Sequence, residues 1–213
     1  ISIPVNSPWD ASVNDDHGIV ARFGPAFHVK KTNGELGPRV VDFNPHYWTA
    51  RYAAETLIGF DPVSSKYYQY DEDSGLWSPI RDEVVRGEFA AYLLRFSRAT
   101  EEEVLLHKRD QRRLGEMLTT LKSVAVRDDA FQQQLQGIIH LQNGMLHLEC
   151  SPPELRRFSH RYFSRYQCPV AFDDRATCPR FLNELLLGAM SEADVKLLQL
   201  FGGMYLLGRN FFQ

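Results

Sequence analysis

Arginine and aromatic side chains alternate in one segment of the second half of the chain. The set comprises Arg156, Arg157, Arg161 and Arg165 with Phe158, Tyr162, Phe163 and Tyr166, and Glu154 is the one negative charge close by. Arginine neutralises phosphates and stacks on bases, and aromatic faces stack on bases of any sequence. If residues 155–166 are helical, Arg157, Arg161 and Arg165 recur at every fourth position and form one stripe. The pattern predicts non-specific contacts with a nucleic-acid backbone. The alternative is an amphipathic link with buried aromatics and solvated arginines.

A second basic cluster lies at 107–113, inside a segment with helical periodicity. Its cationic members are Lys108, Arg109, Arg112 and Arg113. These four residues are further candidates for contacts with nucleic-acid phosphates. The alternative is the solvated face of an ordinary helix.

Several catalytic chemistries are excluded by missing motifs. The sequence has no phosphate-binding G-x-x-x-x-G-K-[ST], no G-x-G-x-x-G, no G-x-S-x-G and no H-E-x-x-H. His147 and Glu149 form the H-x-E half of a zinc deaminase signature, but the P-C-x-x-C half is absent. The acidic residues at 71–73 are typical of a turn rather than of a two-metal site. We therefore predict no catalytic residue, no metal site and no cofactor in this chain, although an enzyme whose site is dispersed in sequence stays an alternative.

Charge and composition narrow the function classes further. The 213 residues contain 24 basic and 27 acidic side chains, for a formal net charge of −3. This balance excludes coating of nucleic acid by bulk charge, but it allows a local basic patch.

No apolar stretch approaches the ~18 residues of a membrane span, and no signal peptide is recognisable. Three cysteines are too few for a disulfide scaffold, so we expect a reducing, cytoplasmic location. Because the first residue is Ile1, we expect the chain to be a piece of a longer protein.

Turn signals predict two antiparallel β-hairpins. Aromatic residues alternate on both sides of an acidic, glycine-containing turn over 66–78. Asn143-Gly144 is typical of a two-residue turn, and the hairpin around it spans 138–148, which places His140 opposite His147. Residues 1–45 are rich in Pro, Gly, Asn and Asp, and we expect an irregular arm with short strands at 19–23 and 26–29.

Helical periodicity dominates most of the remaining sequence. The predicted helices lie at 47–57, 84–96, 100–121, 128–136, 179–186 and 191–205. A helix–helix core is expected from Phe181, Leu185, Leu198, Phe201 and Tyr205. The predicted fold is therefore α+β, predominantly helical with two antiparallel β-hairpins, and residues 46–213 are expected to form one domain after the arm.

The C-terminal half contains an ordered series of motifs. An Asn-Gly hairpin is followed by Pro169-Val-Ala-Phe-Asp173, by Ala176-Thr-Cys-Pro179 and by Phe201-Gly-Gly203. This order resembles the region immediately N-terminal to the ATPase module in phage, plasmid and poxvirus primase–helicases of helicase superfamily 3. The resemblance covers roughly residues 45–213 and is closest over 137–208.

The resemblance implies a collar-like, non-catalytic domain that supports ring assembly and DNA engagement. The implied partners are single-stranded or forked DNA, sister subunits of a ring and the ATPase module of the same protein. ATP and Mg²⁺ are expected to bind that module, which would make the parent protein an ATP-dependent DNA helicase or primase. No membrane association is implied.

The order of the predicted elements also fits a second hypothesis. Helices across 84–136 followed by the 138–148 hairpin are typical of a stand-alone winged-helix module that binds nucleic acid.

Overall fold

The computed structural model describes residues 16–30, 39–100, 104–107, 110–132 and 135–206. These residues divide into two compact units. The first unit comprises the described residues up to 70 together with 78–131, and the second comprises 71–77 together with the described residues from 132 onward.

The first unit contains most of the helices. In chain order its elements are α1 (Asp16–Phe23), β1 (Phe27–Lys30), β2 (Arg39–Phe43), α2 (Pro45–Thr56), β3 (Ile58–Asp61), β4 (Lys66–Asp71), β5 (Leu76–Ile80), α3 (Asp82–Thr100), α4 (Val104–His107) and α5 (Gln111–Ala125). β1 and β2 form one antiparallel sheet, and β3, β4 and β5 form a second sheet in that order. The tip of the β4–β5 hairpin, residues 71–77, belongs to the second unit.

Local sequence explains where α2 and α5 begin. The Asn44 side chain accepts hydrogen bonds from the amides of His46 and Tyr47, and Pro45 occupies a first-turn position that needs no amide hydrogen. Asp110 caps α5 by accepting from the amide of Arg113 at 3.0 Å. Since a new helix begins at this cap, the prediction of one continuous helix through 107–113 is wrong.

Aromatic side chains form the core of the first unit. Trp48 and Tyr52 of α2 are 1% exposed, and Phe89 of α3 is fully buried. The Tyr52 and Phe89 rings lie 5.0 Å apart in a tilted arrangement. Tyr67 of β4 is also fully buried, and its hydroxyl donates to the carbonyl of Leu118 in α5 at 2.9 Å. These contacts join α2, α3, α5 and the β4 strand around one core.

The second unit contains one small sheet and a helical C-terminal part. Its elements are β6 (Ile138–Leu141), β7 (Gly144–His147), β8 (Glu154–Arg156), a 3₁₀ turn (His160–Tyr162), a π-helical segment (Arg180–Leu186), α6 (Leu187–Ala189) and α7 (Glu192–Leu206). β6, β7 and β8 form an antiparallel sheet in that order. Ser191 caps α7, because its hydroxyl accepts from the amide of Asp194 at 3.3 Å and donates to the Asp194 carboxylate at 2.7 Å.

The predicted fold class is wrong. Three antiparallel sheets of two, three and three strands replace the two isolated hairpins, so the fold is α+β but not predominantly helical with two hairpins.

Residues 19–23, predicted as a strand, lie in helix α1. Residues 128–136 are predicted as a helix, but those of them that the structure describes form turns. The strand predicted at 26–29 is present as β1 and pairs with β2. Residues 101–103 of the predicted helix at 100–121 lie outside the described residues.

The hairpin around Asn143 forms in a different register from the predicted one. Leu141 pairs with Gly144 and His140 pairs with Met145, so His140 and His147 do not face each other. The turn residues are Gln142 and Asn143. The Asn143 side chain donates to the carbonyl of Phe172 at 2.8 Å and accepts from its amide at 2.9 Å. The Asn-Gly pair alone does not specify this register, in which Asn143 also forms hydrogen bonds with a residue outside the hairpin.

The predicted core of the C-terminal helices is also wrong. All five residues proposed for it are exposed, from 42% for Phe201 to 85% for Tyr205. Among the C-terminal residues that the structure describes, Leu186 and Val195 are the buried hydrophobic ones. Helical spacing identifies the apolar face correctly, but spacing does not show whether a second surface is present to cover that face.

Among the helices that the structure describes, none is long and apolar enough to cross a membrane.

Candidate nucleic-acid interface

The arginine-rich segment is a loop and not a helix. Residues 154–156 form strand β8, residues 160–162 form a 3₁₀ turn, and Phe163 adopts a left-handed conformation with φ of 48°. The stripe of Arg157, Arg161 and Arg165 at helical spacing therefore does not form. We call residues 154–166 the arginine loop.

Trp77, from the tip of the β4–β5 hairpin, holds the arginine loop from inside the second unit. Its indole Nε1 donates to the carbonyl of His160 at 2.9 Å, and its backbone amide donates to the carbonyl of Ser164 at 2.8 Å. Its ring stacks on Phe163, with centroids 5.3 Å apart and planes 16° apart. Trp77 is 1% exposed. Three contacts from one buried residue thus fix the backbone between 160 and 164.

A buried polar cluster fixes the same loop at a second point. His140 Nδ1 lies 2.7 Å from Ser164 Oγ, and His140 Nε2 lies 2.8 Å from the carbonyl oxygen of Ser74. Because a carbonyl oxygen can only accept, Nε2 carries the proton. The single hydroxyl hydrogen of Ser164 has two acceptors within reach, Nδ1 of the neutral ring at 2.7 Å and the carbonyl of Tyr166 at 3.1 Å. The Gln167 side chain donates to the same Ser74 carbonyl at 3.1 Å. The ring of Phe158 packs 5.2 Å from His140.

His147 and Tyr162 connect the 3₁₀ turn to strand β7. His147 Nε2 lies 3.0 Å from the Tyr162 hydroxyl, and the two rings meet edge to face with centroids 5.8 Å apart. Burial and the nearby positive charge of Arg156 lower the pKa of His147. With Phe158 and Phe163 also half-buried, three of the four aromatic residues in the loop anchor it to the protein.

Three of the four arginines of the loop are exposed. Arg156 is exposed and pairs with Glu154 at 2.7 Å, and the hydrogen bond from Arg156 lowers the pKa of that carboxyl. Arg157 and Arg161 are exposed, and Arg165 is half-buried. Residues 154–166 contain four arginines and one carboxylate, so the formal charge of this segment is positive.

Tyr166 differs from the other aromatic residues of this segment. It is 81% exposed, and the guanidinium carbon of Arg165 lies 5.9 Å from its ring centroid. An exposed aromatic face beside a guanidinium can stack on a nucleobase while the cation meets the adjacent phosphate. The arrangement therefore combines a cation with an exposed aromatic face, the two groups that proteins use to contact single-stranded nucleic acid.

The second basic cluster, at 107–113, is placed less favourably for contacts with nucleic-acid phosphates. Arg112 of α5 pairs with Glu116 at 3.2 Å, and Arg113 pairs with Asp110 at 3.3 Å. Lys108 and Arg109 lie outside the described residues. Since each described arginine of this cluster has a carboxylate within the same helix or its cap, the local positive charge is largely compensated.

The internal anchors are the residues that sequence reasoning missed. Ser74, Trp77, His140 and Gln167 come from segments up to 93 residues apart. No spacing rule connects them, and the aromatic alternation around Trp77 predicted only a hairpin, which is present as β4 and β5.

The three cysteines are free, and Cys150 is the one of them that is not exposed. Within the described ranges, no group of three or more His, Cys, Asp or Glu side chains has the arrangement of a metal site. The acidic turn at 71–73 is held by hydrogen bonds of its own, in which Asp71 accepts from the amide of Asp73 and from the Ser74 hydroxyl. The hydrogen bond from Ser74 lowers the pKa of Asp71.

We expect the second unit to lose stability as the pH falls below the ordinary histidine range. Burial lowers the pKa of His140, while its hydrogen bond to Ser74 opposes the shift. A histidine whose pKa is lower in the folded state contributes its full stability above the unfolded pKa of about 6.5. That contribution decreases as the pH falls from about 6.5 through the folded value. Urea denaturation between pH 8 and pH 5 measures it.

The matched variant for this test is His140→Gln, which removes the titrating group. As the pH decreases from 8 to 5, the free energy of unfolding of this variant should decrease less than that of the unmodified chain. The decrease that remains should include the contribution of His147. Equal pH dependence in both proteins would contradict the assignment to His140.

Comparison with protein families identifies the class to which this loop and fold belong. The family model described as D5 N terminal like matches residues 40–187, which is more than half of the chain. The chain therefore belongs to this family, the N-terminal domain of phage, plasmid and poxvirus D5-type primase–helicases. It is the N-terminal region of a replication primase–helicase of the phage and plasmid type. A search of the curated proteins found no match.

Proposed function

We propose that this chain is the non-catalytic, DNA-engaging part of its primase–helicase. In this role it supports ring assembly and leads single-stranded or forked DNA toward an ATP-dependent helicase module of superfamily 3. ATP and Mg²⁺ would bind that module, because the 213 residues here contain no phosphate-binding loop. The observation that carries the proposal is the arginine loop, which is anchored by Trp77 and His140 and carries the exposed Arg157, Arg161 and Tyr166 together with the half-buried Arg165.

The anchoring of the loop is the first support for this function. A loop held by Trp77 and His140 keeps its backbone in place when a ligand binds, so little conformational entropy is lost on binding. The half-buried Phe158, Tyr162 and Phe163 cannot reach a nucleobase without breaking these contacts. Base stacking is therefore assigned to Tyr166 alone.

The chemistry of the exposed side chains of the loop favours non-specific recognition of nucleic acid. Arginine contacts with phosphates carry no sequence information, and a tyrosine face stacks on any base. Several copies of the loop in a ring would act on one strand, and weak contacts would add by avidity. Such binding suits a protein that moves along DNA.

The winged-helix alternative has less support. A winged helix needs its recognition helix and its hairpin in one domain. Helices α3 and α5 belong to the first unit, whereas the β6–β7 hairpin belongs to the second unit and pairs with β8.

We expect the triple variant Arg157→Ala, Arg161→Ala, Arg165→Ala to bind single-stranded DNA more weakly and with a flatter salt dependence. On a single strand, each phosphate that is no longer neutralised lowers the slope of log K against log salt by about 0.7, so removing three arginines lowers it by about 2. Fluorescence anisotropy with a labelled oligothymidylate at several salt concentrations measures both quantities.

A charge-matched control separates this effect from a general change in net charge. Arg98, Arg175 and Arg180 are exposed residues outside the loop, and their triple alanine variant loses the same three charges. The control should keep most of the salt slope. If the two triple variants behave alike, the arginine loop is an ordinary protein surface.

We expect Tyr166→Ala to weaken single-strand binding, and Tyr166→Phe to preserve it. Stacking on one base contributes roughly 1–3 kcal/mol, and it depends on the aromatic face rather than on the hydroxyl. Since Tyr166 is 81% exposed, neither substitution should change the free energy of unfolding by more than about 0.5 kcal/mol. Equal binding by the alanine and phenylalanine variants would remove Tyr166 from the interface.

A further inference from the structure

The hydroxyl of Ser164 lies between two polar groups of the second unit. Its oxygen is 2.7 Å from Nδ1 of His140 and 3.1 Å from the carbonyl oxygen of Tyr166. Ser164 and His140 are both buried, so their polar atoms depend on hydrogen bonds within the protein. A hydroxyl group carries one hydrogen, and it therefore donates fully to only one of these two acceptors at a time.

The protonation state of His140 decides which acceptor the hydroxyl uses. Nε2 carries a proton in both states, because it donates to the carbonyl of Ser74 at 2.8 Å. In the neutral ring, Nδ1 has a lone pair and the Ser164 hydroxyl donates to it. In the protonated ring, Nδ1–H donates to the Ser164 oxygen instead. The hydroxyl hydrogen is then available to the carbonyl of Tyr166.

We propose that the Ser164 hydroxyl is a hydrogen-bond switch that links the protonation of His140 to the position of Tyr166, the base-stacking residue of the arginine loop. One proton from solvent binds Nδ1, the hydrogen of Ser164 rotates toward the Tyr166 carbonyl, and no bond between heavy atoms breaks. The effect on DNA rests on the proposed function, whereas the exchange of hydrogen bonds does not. His140 and Ser164 are positioning residues, because they act through Tyr166.

Both arrangements fit the same positions of the heavy atoms. The two distances from the Ser164 oxygen, 2.7 Å and 3.1 Å, are within the range of a hydrogen bond in either direction. The protonated arrangement has one hydrogen bond more, since the carbonyl of Tyr166 gains a donor. This additional bond, together with the charge-assisted bond from Nδ1–H, opposes the cost of a charge on a buried ring.

The immediate surroundings of the His140 ring are uncharged. Among the residues that the structure describes, the groups that contact the ring are the Ser164 hydroxyl, the Ser74 carbonyl, the Gln167 side-chain amide and the Phe158 ring. The segments packed against the ring carry further charged or titratable groups, namely Asp71, Glu72 and Asp73 before Ser74, Glu154 and the four arginines of the arginine loop, and His147 on β7.

The pH range of the switch follows from these surroundings. Burial is the main cause that lowers the pKa of His140, and the hydrogen bond to the Ser74 carbonyl opposes this effect. The ring therefore becomes charged below the ordinary histidine value of about 6.5.

Protonation of His140 should strengthen the binding of single-stranded DNA. The hydrogen bond from Ser164 restrains the carbonyl of Tyr166, so less conformational freedom is lost when its ring stacks on a base. The charge on the ring also adds to the positive charge of the arginine loop. By thermodynamic reciprocity, bound DNA should raise the pKa of His140.

The first test follows the switch in the full chain without DNA, by NMR titration from pH 8 to pH 5. The ring carbons of His140 and the carbonyl carbon of Tyr166 should titrate with the same midpoint. In Ser164→Ala the ring should still titrate, but the Tyr166 carbonyl should not follow it. Ser164→Thr keeps a hydroxyl and should restore the response.

Three results of this titration would overturn the proposal. The first is a Tyr166 carbonyl that does not respond in the unmodified chain, and the second is an equal response in Ser164→Ala. The third is unfolding of the second unit before the ring is protonated, because the switch requires a folded, protonated state.

If Ser164→Ala does not fold, His140→Gln takes its place. The glutamine side chain can donate to the Ser74 carbonyl and accept from the Ser164 hydroxyl, as the neutral ring does, but it does not titrate. The Tyr166 carbonyl should then be independent of pH. A titration that persists there with the same midpoint would contradict the assignment to His140.

The second test measures the binding of labelled oligothymidylate at pH 7.5 and at pH 5.5. Between these values the affinity of the unmodified chain should rise about threefold more than that of Ser164→Ala, in which the other histidines still become protonated. Tyr166→Ala should show the smaller rise as well, since the switch acts through Tyr166. A direct effect of the His140 charge on phosphates would persist in Tyr166→Ala.

Equal rises in the unmodified chain and in Ser164→Ala would overturn the coupling to DNA. If the chain binds no oligothymidylate at either pH while the Tyr166 carbonyl titrates with His140, the proposed function fails and the switch stands. The two failures are therefore distinguishable.

Discussion

Trp77→Ala should lower the free energy of unfolding of the second unit by about 3–5 kcal/mol. The substitution removes a side chain that is 1% exposed, the stack on Phe163 and the hydrogen bond to the carbonyl of His160. The loop backbone between 160 and 164 loses its main support at the same time. Urea denaturation followed by far-UV circular dichroism measures the change. A loss below about 1 kcal/mol would show that the loop does not depend on this anchor.

Trp77→Phe separates the two parts of this effect. Phenylalanine can keep the ring stack on Phe163, but it leaves the His160 carbonyl without the indole donor. The cost should therefore lie between zero and that of the alanine variant, with about 1–3 kcal/mol for the missing hydrogen bond. Because the loop would remain partly ordered, single-stranded DNA binding should fall less in Trp77→Phe than in Trp77→Ala.

The sequence allows prediction of those features that depend on neighbouring residues. Helix α2 and the cap of α7 follow from Asn44, Pro45 and Ser191, whose side chains act within three residues of their own position. The family resemblance is confirmed by the match over residues 40–187. The segment carrying the candidate interface is recognisable as well, because its composition alone identifies an excess of arginine and aromatic residues.

The conformation of that segment could not be predicted, because it depends on distant residues. The spacing of Arg157, Arg161 and Arg165 fits a helix, but the carbonyls of His160 and Ser164 are held by Trp77, which lies 83 residues before His160. These contacts favour a loop over the helix that local spacing suggests. The DNA contacts of these arginines stay a prediction.

The exposure of the C-terminal helices has a different physical origin. Helical spacing shows correctly that Leu198, Phe201 and Tyr205 are on apolar faces, but burial requires a covering surface. Periodicity identifies a face that needs such a surface and gives no information about which chain provides it.

Gly144→Ala should cost the second unit about 2–4 kcal/mol, for two reasons. Gly144 has φ of +154°, which a residue with a side chain rarely adopts. A Cβ atom at this position would lie 2.5 Å from the carbonyl oxygen of Arg156 and 3.0 Å from the side chain of Leu155. Strand β8 would have to move away from β7, and the beginning of the arginine loop would move with it.

The matched control is Gly115→Ala in helix α5. A Cβ atom at Gly115 would meet nothing within 4 Å, and alanine is favoured over glycine inside a helix. This variant should gain about 0.4–1 kcal/mol. Changes of opposite sign in the free energy of unfolding of the two variants, measured by urea denaturation, would show that the approach of β8 requires glycine at position 144. A stabilising effect of Gly144→Ala would contradict the close approach of β8 to β7 at this position.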